Sequence, residues 1–329
     1  RQMCIRDSTW GMVIYNNTCC YGCSKSESEI EPKPTKLGSL GVLTCREMNK
    51  DSSTSRIGHM SILVNPQWLK SRIGSNRAPV ILDVRWYRDR VGGYDHYLEH
   101  HIPNAIYVDL DQDLTGVHNP ENGRRPFPSK EKVQELTRKW GIDKNSYVVV
   151  YDSVAGTSAA RAWWILRDAG VENVFFLDGG LQRWEHAGMP TVTGPGIIPL
   201  RGNFEVSDTS CMPTISVDEV KIWPQHGILL DARSERRYQG HFEYNDARLG
   251  HIPGAHNLPT YGNFGPDQKF LGFESLLDRF EGLGITSGSE VAVYCGSGNL
   301  ATHTIAALEV AGLPGASLYE GCLLYTSDA

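Results

Sequence analysis

GIDKNSYVVVYD at 141–152 and GITSGSEVAVYC at 284–295 are the two stretches whose comparison decides the fold of this chain. They align without a gap, and Asp152 falls opposite Cys295. Outward from this pair the likeness continues in order. LDVR at 82–85 matches LDAR at 230–233, HIPNA at 101–105 matches HIPGA at 251–255, and LDGG at 177–180 is echoed by LYEG at 318–321. Ordered self-similarity of this kind marks two copies of one structural unit.

Each copy reads as α/β. Val80 to Val84 and Ile228 to Leu230 are short apolar runs that follow loop residues, as buried strands do. Tyr147 to Tyr151 is β-branched and aromatic, the composition of a central strand. Ser129 is a good N-cap, and Val133, Leu136 and Trp140 follow at helical spacing, which predicts a helix over 129–141. A second helix is predicted where Ala301, Ile305 and Leu308 share a face and Gly312 supplies a stop. Strands alternating with helices imply, in each copy, a mostly parallel sheet covered by helices on both faces. The expected domains are 60–190 and 214–329, joined by a linker at 191–213 that has Pro and Gly near its start and little periodicity.

The ends read differently from the body. RQMCIRDS at 1–8 and CLLYTSDA at 322–329 look foreign to the rest, and 9–59 is polar and irregular, so 1–59 is expected to be a non-native or disordered leader. Met48 and Met60 are candidate starts. Of eight cysteines, five crowd the first 45 residues and only Cys211, Cys295 and Cys322 lie beyond, which is not the distribution of a disulfide framework. Cys20 and Cys23 form a C-x-x-C, but no second pair or nearby histidine completes a zinc site. No metal and no cofactor are expected. A net charge of −6 argues against nucleic acid as a partner, and no apolar run approaches the roughly 20 residues of a membrane span. The expected location is the cytoplasm, or the mitochondrion if the organism is eukaryotic.

The chemistry points to Cys295. It ends the strand VAVYC and opens the loop CGSGNLA before a helix, the end of an α/β strand where ligands gather. Gly296 and Gly298 let the backbone curl so that N–H groups face one centre, and a helix N-terminus there favours a thiolate. Ser297 is placed to donate a further hydrogen bond. The bland alternative is an inert buried thiol, since free cysteine is among the most buried residue types. The repeat weighs against it: one copy keeps a nucleophile where the other has Asp152, with a loop, DSVAGTSAA, that lacks the glycine spacing.

Together, HIPGA, LDAR, the paired VVVYD and VAVYCGSG segments and LDGGLQRW resemble the tandem rhodanese and 3-mercaptopyruvate sulfurtransferase family over about 60–321. The resemblance implies two rhodanese-like domains, the N-terminal one inactive and the C-terminal one catalytic. It implies an enzyme that takes sulfane sulfur from a small donor, holds it as a persulfide on Cys295, and passes it to cyanide or to a thiol such as thioredoxin or glutathione. Arg237, in ERRYQG, resembles the arginine that binds the donor's anionic end, and Arg248 is a second candidate. Gly296, Gly298, Asn299 and Leu300 complete the implied donor-binding loop. CGSG resembles the mercaptopyruvate-preferring form, and its lack of charge agrees, because dianionic thiosulfate gains more from cations beside the sulfur. Asp111, in VDLDQD, matches an aspartate of a Ser–His–Asp relay, but Arg125 in GRRPFP stands where its histidine belongs and His118 is out of register. His251 and His303 read as structural. A cysteine phosphatase would need arginine at 301, which is Ala301. A non-catalytic rhodanese-like binding or redox-sensing module remains the rival of a different class.

Overall fold

The computed structural model describes residues 61–87, 92–118, 124–241 and 249–320. The expected leader, the Cys20–Cys23 pair, Arg248 and the stretch 322–329 lie outside them.

The β-branched and aromatic runs form the centres of two sheets. The first copy runs β1 (Leu63–Val64), α1 (Pro66–Arg72), β2 (Val80–Asp83), α2 (Gly93–Glu99), β3 (Ala105–Tyr107), α3 (Lys130–Lys139), β4 (Val148–Tyr151), α4 (Ala159–Asp168), β5 (Val174–Leu177) and α5 (Gly180–His186). The second runs β6 (Thr214–Ile215), α6 (Val217–Ile222), β7 (Ile228–Asp231), α7 (Glu235–Tyr238), β8 (His256–Asn257), α8 (Phe273–Glu281), β9 (Val291–Tyr294), α9 (Asn299–Val310) and β10 (Ser317–Tyr319). Strand orders are β1-β5-β4-β2-β3 and β6-β10-β9-β7-β8, the same path twice. Every strand pair among the described residues is parallel. The register repeats too: Asp83 pairs with Tyr151, and Asp231 with Tyr294.

The shared motifs are structural clamps. In LDVR, Arg85 closes on Asp83 at 2.6 Å in full burial, and in LDAR, Arg233 closes on Asp231 at the same distance. The histidines of HIPNA and HIPGA stack on tyrosines, His101 on Tyr97 at 3.9 Å and His251 on Tyr238 at 3.7 Å between ring centroids. Each imidazole Nδ1 meets the carbonyl of its tyrosine at 2.8 Å. His251 is therefore a packing residue, as its turn suggested.

Ser129 caps α3 by accepting the Lys132 N–H, as its position predicts. Helices α4 and α9 depart from the simple amphipathic expectation. Nearly every side chain of both is buried, including Arg161, Thr302, His303 and Thr304. The reason is that each packs on its own sheet and on the other helix, so the face that would meet water in a lone domain meets the second copy. The segment between the sheets is fastened to the first copy: Phe204 is buried, and its N–H and carbonyl bond to the Ile142 carbonyl and the Gln134 side-chain amide.

His303 locks the two copies. Its ring stacks on Phe270 at 4.5 Å and its Nε2 meets the Ala155 carbonyl of the first copy at 3.0 Å. Burial lowers its pKa to about 4, against a smaller upward pull from that carbonyl. An unfolded chain takes up this proton below about pH 6.5 and the folded one only near 4, so stability is lost as pH falls between those values. Urea titrations across that window should show a fall of about 3 kcal/mol that shrinks in His303→Gln. An equal fall in the variant would assign the acid sensitivity elsewhere.

Candidate active site

The two strand-to-helix loops set the site's geometry, and the first explains the second. Asp152 follows β4 and is 1% exposed. Its carboxylate accepts four backbone N–H bonds, from Val154, Gly156, Ser158 and Ala159, at 2.7–3.1 Å. Burial pushes this carboxyl's pKa up while the four amides pull it back. The loop is thus an amide cradle with an anion inside it, at the N-terminus of α4. Asp152→Ala leaves four inward N–H groups without an acceptor and should cost about 2–4 kcal/mol, read as a lower urea midpoint. An unchanged midpoint would mean that water replaces the carboxylate.

Cys295 occupies the same place after β9. Its thiol is free, 2% exposed, and accepts the Gly298 N–H at 3.1 Å. Gly298 is the N-cap residue of α9, as Ser158 is of α4, so the two cradles correspond amide for amide at that point. Gly298 has φ +84°, a left-handed conformation, and a Cβ there would stand 2.9 Å from the Arg161 Nη1. Of the several inward N–H groups expected, only one reaches Sγ among the described residues. A lone sulfur ends short of where a carboxylate's oxygens lie, and one more atom would extend it into the cradle.

The loop forms one wall of a cleft of about 660 Å³. Ser297, Asn299 and Leu300 line it with Arg237 from α7, while Trp86, Asp111, His118, Arg124 and Arg125 line it from the first copy. Cys295 itself does not line the cleft; it is buried two residues before Ser297, which does. Ser297 uses its carbonyl to accept from Arg161, and its hydroxyl makes no bond to the sulfur. The first copy reaches the loop twice more: Arg124 Nη2 donates to the Gly296 carbonyl at 3.3 Å, and Arg161 Nη1 lies 3.5 Å from Asn299 Oδ1. Those contacts had no signal in the spacing of either repeat.

Asp111 lines the cleft and is held by two donors of the first copy. Arg125 Nε donates to it at 2.7 Å, Trp86 Nε1 donates at 2.9 Å, and Arg125 stacks over the Trp86 ring. Burial opposes its ionisation, yet the Arg125 hydrogen bond and charge hold its carboxyl below the usual carboxylate range. Both bonds leave the Asp111 carboxylate as an acceptor, with Arg125 where a histidine partner was expected.

Among the described residues, no cluster of side chains suits a metal ion, and no helix is long and apolar enough to cross a membrane.

The model of the rhodanese-like domain matches residues 65–187 and again 216–324. SseB of Mycobacterium tuberculosis, whose name contains the words thiosulfate sulfurtransferase, is 38% identical over 262 residues, covering 79% of this chain and 92% of its own. A Pseudomonas aeruginosa protein named probable 3-mercaptopyruvate sulfurtransferase is 36% identical over 266 residues, with the same coverage. The crystal structure of SseA from Escherichia coli, a 3-mercaptopyruvate enzyme by its description, superposes with a TM-score of 0.72 at 28% identity, covering 80% of this chain and 98% of that one. Two matched domains on two parallel sheets and relatives at this identity make one statement: the chain belongs to the rhodanese family and is a sulfurtransferase with two tandem copies of that domain.

Proposed function

We propose that the second copy, 214–329, carries the reaction on Cys295 while the first, 60–190, is a non-catalytic partner joined through 191–213. The donors are 3-mercaptopyruvate and thiosulfate. The thiolate of Cys295 attacks the donor's outer sulfur, a new S–S bond forms, and the donor's C–S or S–S bond breaks to release pyruvate or sulfite. With mercaptopyruvate the donor's own thiol proton ends on the departing carbon. A thiolate acceptor, or cyanide, then takes the outer sulfur and restores the Cys295 thiolate.

The observation that carries this reading is the filled cradle around Asp152. A cysteine persulfide has the reach of an aspartate carboxylate, with the outer sulfur where an oxygen would lie. Gly296, Gly298, Asn299 and Leu300 supply the backbone that receives it, and Ser297 anchors the loop through its carbonyl. Arg237, with Arg248, holds the donor's carboxylate or sulfonate end. Asp111 serves the site by fixing Arg125 and Trp86 on the cleft wall. Thioredoxin, glutathione or another small thiol is the acceptor, in the cytoplasm.

The rival reading, a binding or redox-sensing module, draws on the 2% exposure of Cys295. Mass spectrometry separates the two. The enzyme gains one sulfur atom on the peptide containing Cys295 after donor treatment and loses it to cyanide. A thiol that stays unmodified in excess donor belongs to the module.

A further inference from the structure

The four residues from Cys295 to Gly298 carry no charge, yet the loop is not electrically neutral in its setting. A Cβ built on Gly296 would meet Arg237 Nη2 at 2.7 Å and Arg124 Nη2 at 2.9 Å. Two guanidinium heads from different copies therefore converge on one point, one residue after the sulfur. Nearby, Arg125 is held by Asp111, and Arg161 gives its N–H groups to backbone carbonyls and Asn299. Arg124 donates to the Gly296 carbonyl, and its buried Nε–H has no hydrogen-bond partner.

The two donors make different demands on such a point. Transfer from thiosulfate breaks its S–S bond, and sulfite departs with the electron pair as a dianion, with no proton required. Transfer from mercaptopyruvate breaks a C–S bond, and the donor's own thiol proton must be carried to the departing carbon. The cleft offers converging cations, whereas its carboxyl, Asp111, is kept as an acceptor by Arg125. Cations reward a dianion more than a monocarboxylate.

We propose that Arg124, reaching across from the first copy, is a specificity residue that forms with Arg237 a two-guanidinium subsite over Gly296 for the dianionic end of thiosulfate. The inference rests on the sulfurtransferase reading of Cys295, and it deepens that reading by naming what sets the donor ratio. In this chain the charge that a basic catalytic loop would carry in its own sequence is delivered from another domain.

The test is cyanolysis by the full chain with thiosulfate and 3-mercaptopyruvate side by side, in wild type, Arg124→Gln and Arg124→Lys. In Arg124→Gln, kcat/KM for thiosulfate should fall about tenfold or more and that for mercaptopyruvate less than about threefold, because only the dianion uses the second charge. Arg124→Lys should recover much of the thiosulfate rate, since a point charge suffices there. Parallel losses with both donors, or no recovery with lysine, would overturn the subsite. If Arg124→Gln fails to fold, the lysine variant and the salt dependence of the wild-type donor ratio decide: added salt should depress thiosulfate turnover more, and an unchanged ratio counts against the subsite. Failure of either donor to load sulfur on wild-type Cys295 would instead remove the sulfurtransferase reading on which this rests.

Discussion

Cys295→Ser is expected to lower thiocyanate formation from either donor at least roughly a thousandfold, to the buffer background. The substitution shortens the side chain by little and leaves β9, the Gly298 N-cap and the cleft wall in place. What it removes is chemical. An alcohol at this position is protonated at neutral pH and forms no stable bond to a transferable sulfur, so the two half-reactions have no common intermediate. The protein should fold normally, bind its anionic donor and gain no mass. Substantial turnover by the serine variant would transfer the role to another thiol; Cys211, the other described cysteine, is the first to check.

Arg161→Met is expected to cost about 3–5 kcal/mol of stability and on the order of a hundredfold in kcat. Arg161 is fully buried on α4 and lies over the Phe127 ring at 4.1 Å. It donates to the carbonyls of Leu114, Arg125, Pro126 and Ser297, with Asn299 Oδ1 at 3.5 Å, and no carboxylate is among these partners. Burial lowers its pKa to about 9, with the charge of Arg125 adding to the fall and that of Cys295 opposing it. The guanidinium therefore ties the Arg125–Pro126 segment of one copy to the loop after Cys295 in the other. By holding the Ser297 carbonyl outward it leaves the Gly298 N–H turned toward the sulfur. Methionine keeps much of the volume but strands those carbonyls without donors, so both copies loosen together. A structural loss alone would lower the fraction folded and leave the rate per folded molecule unchanged. The positioning role requires kcat per folded molecule to fall with little change in the KM for donor. Equal kcat per folded molecule would reduce Arg161 to a packing residue.

Much of this molecule is written in local sequence. The paired VVVYD and VAVYC runs carry β-branched residues because a parallel strand buried on both faces accepts little else, and that composition survives in each copy. LDVR and LDAR persist because a buried aspartate at a strand end needs its arginine two residues on. Cys295 stood out because a cysteine at a strand end before glycines is a local pattern. The neutrality of its loop was equally legible, whereas the arginines that face it from elsewhere in the fold were not.

What the linear order could not determine is everything that passes between the copies. Arg124, Arg161 and Trp86 belong to the first copy, more than a hundred residues from Cys295, yet they line or brace its loop. Their side chains carry no periodic or spacing signal, because a long guanidinium finds its partner only after two sheets have folded and α4 has packed on α9. The sequence by itself determined the repeat and the strands, and it singled out Cys295 as the candidate sulfur. The packing of one copy on the other decided which charges surround that sulfur, since Coulomb interactions depend on distance in space and not along the chain.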